Sequence, residues 1–274
     1  MPTAALTPQL AATALAQWWE MAGLEPFDLD SAIRATQQLR LPAQTVDAPQ
    51  ALSALPSARA KPNAARKPIE SLADAQRLAA ACSSLDALHK AIAGFDGCGL
   101  KSHARNLVFR DGIAGAPIMI IGDAPDRFDD ETGIPFSGQS GQFFDKMLAC
   151  IGLSRATNCY LTALLPWRPP GDRKPTEEEI AICKPFLDRH IELAAPRAIL
   201  MVGGLCAQTL LGVNDSVMKL RGRTFSLGQA GDTPALCILS PAYLLNRPSE
   251  KMLMWKDLLR FEAEISARGV AITL

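Results

Sequence analysis

Four loops of this 274-residue chain carry residue types that can do chemistry, and each follows an apolar run. The first, GDAPDRFDDETGIPFSG over 122–138, sets Asp123 in a tight turn and adds an aromatic ring, Phe136. A carboxylate there favours positive charge beside it, and the turn's backbone N–H groups can donate to oxygens. The second, PWRPPGDRKP over 166–175, offers Arg168 and Arg173 around Pro169, Pro170 and Gly171. Prolines hold such a loop in one shape while guanidinium groups grip phosphates in bidentate fashion. The third is Gly203-Gly204, and the fourth is SPAYLLNRP over 240–248. Taken singly, a proline–arginine loop is an ordinary surface turn, Lys219-Leu220-Arg221-Gly222-Arg223 a solvated one, and Tyr243-Leu244-Leu245 core. Their shared place at the ends of apolar runs gives them weight.

Other chemistries find less support. The seven cysteines are scattered, odd in number and never spaced C-x-x-C, so they read as small buried hydrophobes and not as a disulfide framework. The three histidines read as structural: His89 in the expected 71–94 helix, His103 in the loop after Cys98, and His190 at the carboxyl end of the expected 176–194 helix. Lys and Arg total 28 and Asp and Glu total 28, a net charge of +0, so no global positive field draws phosphates. Any nucleic-acid contact rests on local patches: Arg168, Arg173, Lys174, Lys219, Arg221, Arg223 and Arg247.

The scaffold beneath these loops follows from hydrophobic patterning. Runs at 117–123 (PIMIIGD), 159–165 (CYLTALL), 197–203 (RAILMVG) and 234–240 (PALCILS) are continuously apolar, as strands buried on both faces of a parallel sheet must be. Helical patterns separate them at 138–151, 176–194, 204–211 and 249–267, and one helix, 71–94, precedes them with Ser71 as its expected N-cap. The expected fold is α/β: a three-layer α/β/α sandwich on a four-stranded parallel sheet. Ligands of such sheets bind beyond the carboxyl ends of the strands, which is where the four loops lie. Ahead of this domain, assigned to 68–274, come an amphipathic helical segment within 1–40 and an Ala/Pro-rich linker at 41–67. No run approaches the roughly 18 apolar residues of a membrane span. The expectation is a soluble, cytoplasmic protein without membrane contact.

The loops resemble those of the family-4 branch of the uracil-DNA glycosylase superfamily over roughly residues 95–264. Gly122-Asp123-Ala124-Pro125 with Gly133-Ile134-Pro135-Phe136-Ser137-Gly138 is similar to the family's G-E-A-P-G and G-x-P-F-x-G; Arg168-Pro169-Pro170-Gly171-Asp172-Arg173 to its R-P-P-G-N-R. Leu220-Arg221-Gly222 matches a family R-G turn, and Pro241-Ala242-Tyr243-Leu244-Leu245 the tail of H-P-S/A-Y-L-L-R. The resemblance implies a DNA-repair hydrolase that cleaves the N-glycosidic bond of a deaminated base in damaged DNA, with the base flipped into a pocket. It implies Asp123 and Ser240 as catalytic residues and Gly122, Ala124, Pro125, Phe136 and Ala163 around the base. Arg168, Pro169, Pro170, Gly171, Arg173, Arg221, Gly222, Tyr243, Leu244 and Arg247 would meet DNA, Leu244 or Leu245 as the wedge behind the flipped base. The N-terminal helix is the segment expected to meet a repair or replication protein.

The chain departs from the family where function is most exposed. Family members hold an iron–sulfur cluster on four cysteines, and the corresponding positions are Phe95, Cys98, Trp167 and Cys183. No cluster and no other metal is therefore expected. The base-reading asparagine aligns with Ala163, the motif histidine with Ser240, and a motif glycine with Asp126, an added acid near the DNA path. Weak or altered base specificity follows, and the alternative is a degenerate member that binds DNA or a protein without catalysis.

Overall fold

The computed structural model describes residues 68–227 and 233–270. The expected N-terminal helix and linker, with any partner they would meet, lie outside the described residues. The core is a six-stranded sheet: β1 (Asp111–Gly112), β2 (Ile118–Gly122), β3 (Cys159–Ala163), β4 (Ala198–Val202), β5 (Thr224–Leu227) and β6 (Thr233–Ile238), in the order β1-β3-β2-β4-β6-β5. The four strands read from apolar runs are the parallel centre. β1 and β5 add antiparallel edges. These two escaped the sequence reading because one has two residues and the other is only half-buried, so neither shows a continuous apolar run.

Helices cover both faces. α1 (Pro68–Ala81) and α2 (Leu85–Gly94) pack on α5 (Glu177–Ala194), and their apolar residues join Met119, Ile121, Tyr160, Ile199 and Met201 in one cluster. Successive strand residues point to opposite faces, and Ile118, Ile120, Leu161 and Leu200 are buried as completely as their neighbours. On that second face α9 (Lys251–Ala267) packs on β6, and α4 (Gln139–Ala149) meets α8 (Pro241–Asn246). The expected three-layer sandwich is therefore present. No helix among the described residues is long and apolar enough to cross a membrane.

Local polar chemistry corrects the expected helix boundaries. The single helix expected at 71–94 is two, because Ser84 turns extended and its hydroxyl accepts the Ala87 N–H at 3.1 Å, starting α2 afresh. Ser71 is not a cap; it lies inside α1 and is buried. The acidic stretch after Asp123, read as loop, forms α3 (Arg127–Thr132). Asp126 caps it, accepting from the Phe128 and Asp129 N–H groups at 2.7 and 3.0 Å. Asp129 receives the Ser137 N–H at 2.8 Å, and Asp130 the Arg105 N–H at 2.8 Å. These acids are thus committed to building the loop, and the added Asp126 is a cap as well as a charge.

Arg221 is also structural. In the turn after α7 (Val217–Leu220), its Nη2 donates to Asp257 Oδ1 at 2.8 Å and to the Leu253 carbonyl at 2.6 Å, binding the turn to α9. Asp257 is buried at 5% side-chain exposure and Arg221 half-buried at 16%, with Nη2 already shared between Asp257 and the Leu253 carbonyl, so the guanidinium expected to meet phosphate is turned into the fold. Gly222 (φ +66) is explained with it, since a Cβ there would strike the Asp257 carboxylate. Burial pushes Asp257 up to about 6 even beside a guanidinium. Arg221→Ala is predicted to cost about 3–5 kcal/mol by stranding a buried carboxylate. Urea unfolding measures this; the loss should shrink from pH 8 to pH 5 as Asp257 takes up a proton, with DNA affinity of the folded protein unchanged.

Candidate active site

The carboxyl ends of the parallel strands stand level, with Gly122 beside Ala163 on one side and Val202 on the other. From β2 the chain crosses to β3 on one flank and later to β4 on the other. β2 is therefore the switch point at which such sheets open a crevice. A cleft of about 680 Å³ lies there. All four loops contribute to its wall: Asp123, Ala124, Pro125 and Asp126 after β2; Pro169, Asp172 and Arg173 after β3; Gly203 and Gly204 after β4; Ser240 and Tyr243 after β6. Its size is within the range of small-ligand sites.

Asp123 bridges the crevice. Its Oδ1 accepts the Cys206 N–H at 2.7 Å, and the Leu205 N–H also favours its charge. These donors belong to the first turn of α6 (Gly204–Leu211), whose own N-cap, Gly203, has no side chain to offer. Asp123 acts as that cap from another strand. The approach demands glycine: a Cβ at Gly203 (φ +111) would collide with the carboxylate. Burial raises the Asp123 pKa to about 6 despite the two N–H groups. The result is a carboxylate charged at neutral pH yet close to its titration point, as a general base should be. Ser240 sits opposite as the N-cap of α8, accepting the Tyr243 N–H at 3.2 Å; its own O–H remains a donor.

Several expected residues lie elsewhere. Phe136, half-buried, is outside the wall of the cleft; its ring rests on Gly122, where a Cβ would come within 2.7 Å of Cζ, and 5.4 Å from the Phe144 ring. Ala163 lines a separate void of about 20 Å³ with Thr162 and His190. Leu244 is fully buried, so it is core and cannot wedge into DNA, while Leu245 is half-buried. Arg247 is exposed over the Tyr243 ring at 5.7 Å, and the Tyr243 hydroxyl donates to Glu250 at 3.0 Å. Pro170 and Gly171 form the outer bend of their loop, with Gly171 at φ +64.

That loop's arginines already hold carboxylates. Arg168 grips Asp172 through Nε and Nη2 at 2.6 and 2.8 Å. Arg173 grips Glu179 at 2.9 and 2.6 Å. Composition hinted at neither pairing, although Asp172 and Glu179 stand four and six residues from their partners.

The family model of the uracil DNA glycosylase superfamily matches residues 109–259, the span that carries all four loops. The chain belongs to this superfamily. Its relatives include a type-4 uracil-DNA glycosylase of Pyrobaculum aerophilum, 32% identical over 182 residues, 65% of this chain and 92% of the relative. A type-4 uracil-DNA glycosylase of Archaeoglobus fulgidus is 34% identical over 170 residues, 60% of this chain and 85% of the relative. One of Thermotoga maritima is 30% identical over 175 residues, covering 63% and 90%.

Against the type-4 pattern, the four positions of the cluster ligands are buried in one apolar cluster. The Cys98 and Cys183 sulfurs lie 3.9 Å apart, and Phe95 packs edge-on against Phe186 at 5.2 Å. Two thiols cannot supply the four thiolates of a cluster, and Phe95 and Trp167 put hydrocarbon in the other two places. These residues do not fit the group. Among the described residues no three or more His, Cys, Asp or Glu gather as a metal site. No histidine lines the cleft. His190 is buried, 2.6 Å from the Tyr160 hydroxyl and stacked on Phe109; burial lowers its pKa to about 3, so it stays neutral.

The Arg168–Asp172 pair generates a prediction. Arg168 holds the Asp172 carboxyl below its ordinary range, so at neutral pH a DNA phosphate must displace a full negative charge. Asp172→Asn should tighten duplex binding roughly two- to tenfold and steepen the salt dependence by about 0.9 in log–log slope. Stability should change by no more than about 1 kcal/mol, since the pair is exposed. Fluorescence anisotropy over a salt series measures both binding effects.

Proposed function

We propose that the chain is a DNA glycosylase that hydrolyses the N-glycosidic bond of uracil or a related deaminated base in DNA. The observation that carries this reading is Asp123, a carboxylate with a pKa near 6 in the switch-point cleft, held by the first turn of α6. Support also comes from relatives named as uracil-DNA glycosylases. In the proposed reaction water attacks the sugar C1′ while the C1′–N bond breaks and its electron pair leaves with the base. Asp123 takes the water proton and offsets positive charge on the sugar. The turn N–H groups and the Ser240 hydroxyl receive the negative charge on the base, a weaker arrangement than an imidazole. Phe136 lies outside the cleft wall, but its ring rests on Gly122, next to Asp123, and in this reading it supplies the stacking face when the base enters.

Base choice is broader than in the type-4 relatives in this reading, because Ala163, which lies outside the cleft wall but level with Gly122 at the end of β3, has no amide with which to distinguish uracil by its hydrogen-bonding edge. Arg173, Lys174 and Arg247 make the rim that meets phosphate, and the domain of 68–274 is the glycosylase unit. A second reading, DNA binding without chemistry, is favoured by one observation: no histidine lines the cleft, so only the Ser240 hydroxyl and backbone N–H groups would face a leaving base.

A duplex with one uracil, hypoxanthine or xanthine, followed by alkaline cleavage of abasic sites, decides between them. Product is expected, with Asp123→Asn lowering kcat by about 10²-fold or more. No product under prolonged incubation with excess protein, or an Asp123→Asn variant as active as wild type, rejects the catalytic reading. Because the base must be ionised, the rate should fall about tenfold per pH unit below roughly 6 and level off above it.

A further inference from the structure

We propose that Arg155, in the connection between α4 and β3 and outside the four strand-end loops, is the positioning residue that holds Phe136 in its working conformation. The inference rests on the reading of Phe136 as the stacking face.

Phe136 has φ +55, a left-handed conformation uncommon for a bulky side chain. In an extended chain successive carbonyls point to opposite sides; a left-handed residue turns two of them to the same side. One guanidinium takes both. Arg155 Nη1 donates to the Pro135 carbonyl at 3.2 Å, and Nη2 to the Phe136 carbonyl at 3.0 Å. The same group is fixed from behind by two carboxylates. Nη1 reaches Asp111 on edge strand β1 at 2.6 Å, while Nε and Nη2 reach Asp145 on α4 at 3.0 and 2.8 Å. All three nitrogens are used, and the side chain is only 21% exposed.

Two glycines complete the seat. A Cβ at Gly141 would collide with the Phe136 carbonyl, and one at Gly122 would press on the ring tip. The backbone of residue 136 is thus clamped from one side by Arg155 and admitted on the other by missing side chains. A lysine carries the charge but is a point donor, and cannot span two carbonyls and two carboxylates in one plane. Without the planar group both carbonyls lose their donor, and Phe136 is free to relax toward negative φ and move its ring off Gly122.

The test compares wild type, Arg155→Met and Arg155→Lys on the single-uracil duplex and by amide hydrogen exchange over residues 134–138. Both variants should lose about 10²-fold in kcat with KM changed far less, because a misplaced group costs orientation and not encounter. Guanidinium ion at low, non-denaturing concentration should restore part of the Arg155→Met rate. Exchange at 134–138 should speed up about tenfold or more in both variants, with β2 and β4 unchanged. Unchanged exchange there, or wild-type kcat in Arg155→Lys, overturns the proposal. Should Arg155→Met fail to fold, Arg155→Lys, which keeps the charge between the aspartates, carries the same test. If wild type releases no base, the catalytic reading fails, while the exchange measurement still decides whether Arg155 sets the conformation at 136.

Discussion

The carboxylate of Asp123 sits on the first turn of α6, and the cleft depends on this contact. Asp123 directly follows β2 and Gly203 directly follows β4, so the hydrogen bond to Cys206 ties together the two strands between which the crevice opens. One side chain thereby caps a helix that lacks its own cap and places a charge at the opening. The cost is electrostatic: burial works against that charge, and the pKa of about 6 is the balance between lost hydration and the N–H groups. Gly203 is the other half of the arrangement, since any side chain there would evict the carboxylate.

The same economy governs the cationic groups. Behind the net charge of +0, cations are engaged locally: Arg168 with Asp172, Arg173 with Glu179, and Arg155 between Asp111 and Asp145. Burial sorts these pairs by role. Arg221 is turned inward to the buried Asp257 and serves the fold, whereas the Arg168 and Arg173 pairs lie in the more exposed loop at the edge of the cleft. Arginines that look equivalent in a sequence therefore divide into mortar and binding surface only after burial is known.

Phe95 and Trp167 show the domain holding together where type-4 members are expected to use a cluster. Each aromatic buries on the order of 200 Å², worth several kcal/mol at about 25 cal/mol per Å². Packed with Phe186 and the rest of the α1, α2 and α5 layer, they close that part of the core with dispersion and the hydrophobic effect. The Cys98 and Cys183 thiols lie within hydrogen-bonding reach of each other at 3.9 Å.

The sandwich, its four central strands and the loops that line the cleft could be read from the residues alone, because a strand buried on both faces must be apolar throughout and loops between such strands gather at their ends. So could Asp123 and Ser240, both of which reach the cleft. The remainder depends on contacts between residues far apart in the chain. Arg221 and Asp257 are 36 residues apart in the chain, and no local pattern announces a pairing at that distance. Leu244 and Leu245 differ only in which face of a six-residue helix meets the core. The edge strands depend on partners, not on composition, and the α3 acids became a helix because Asp126 and Asp129 satisfy backbone donors that the fold leaves open. Periodicity reports which residues leave water; charge, capping and strain are settled by what stands opposite each group in space.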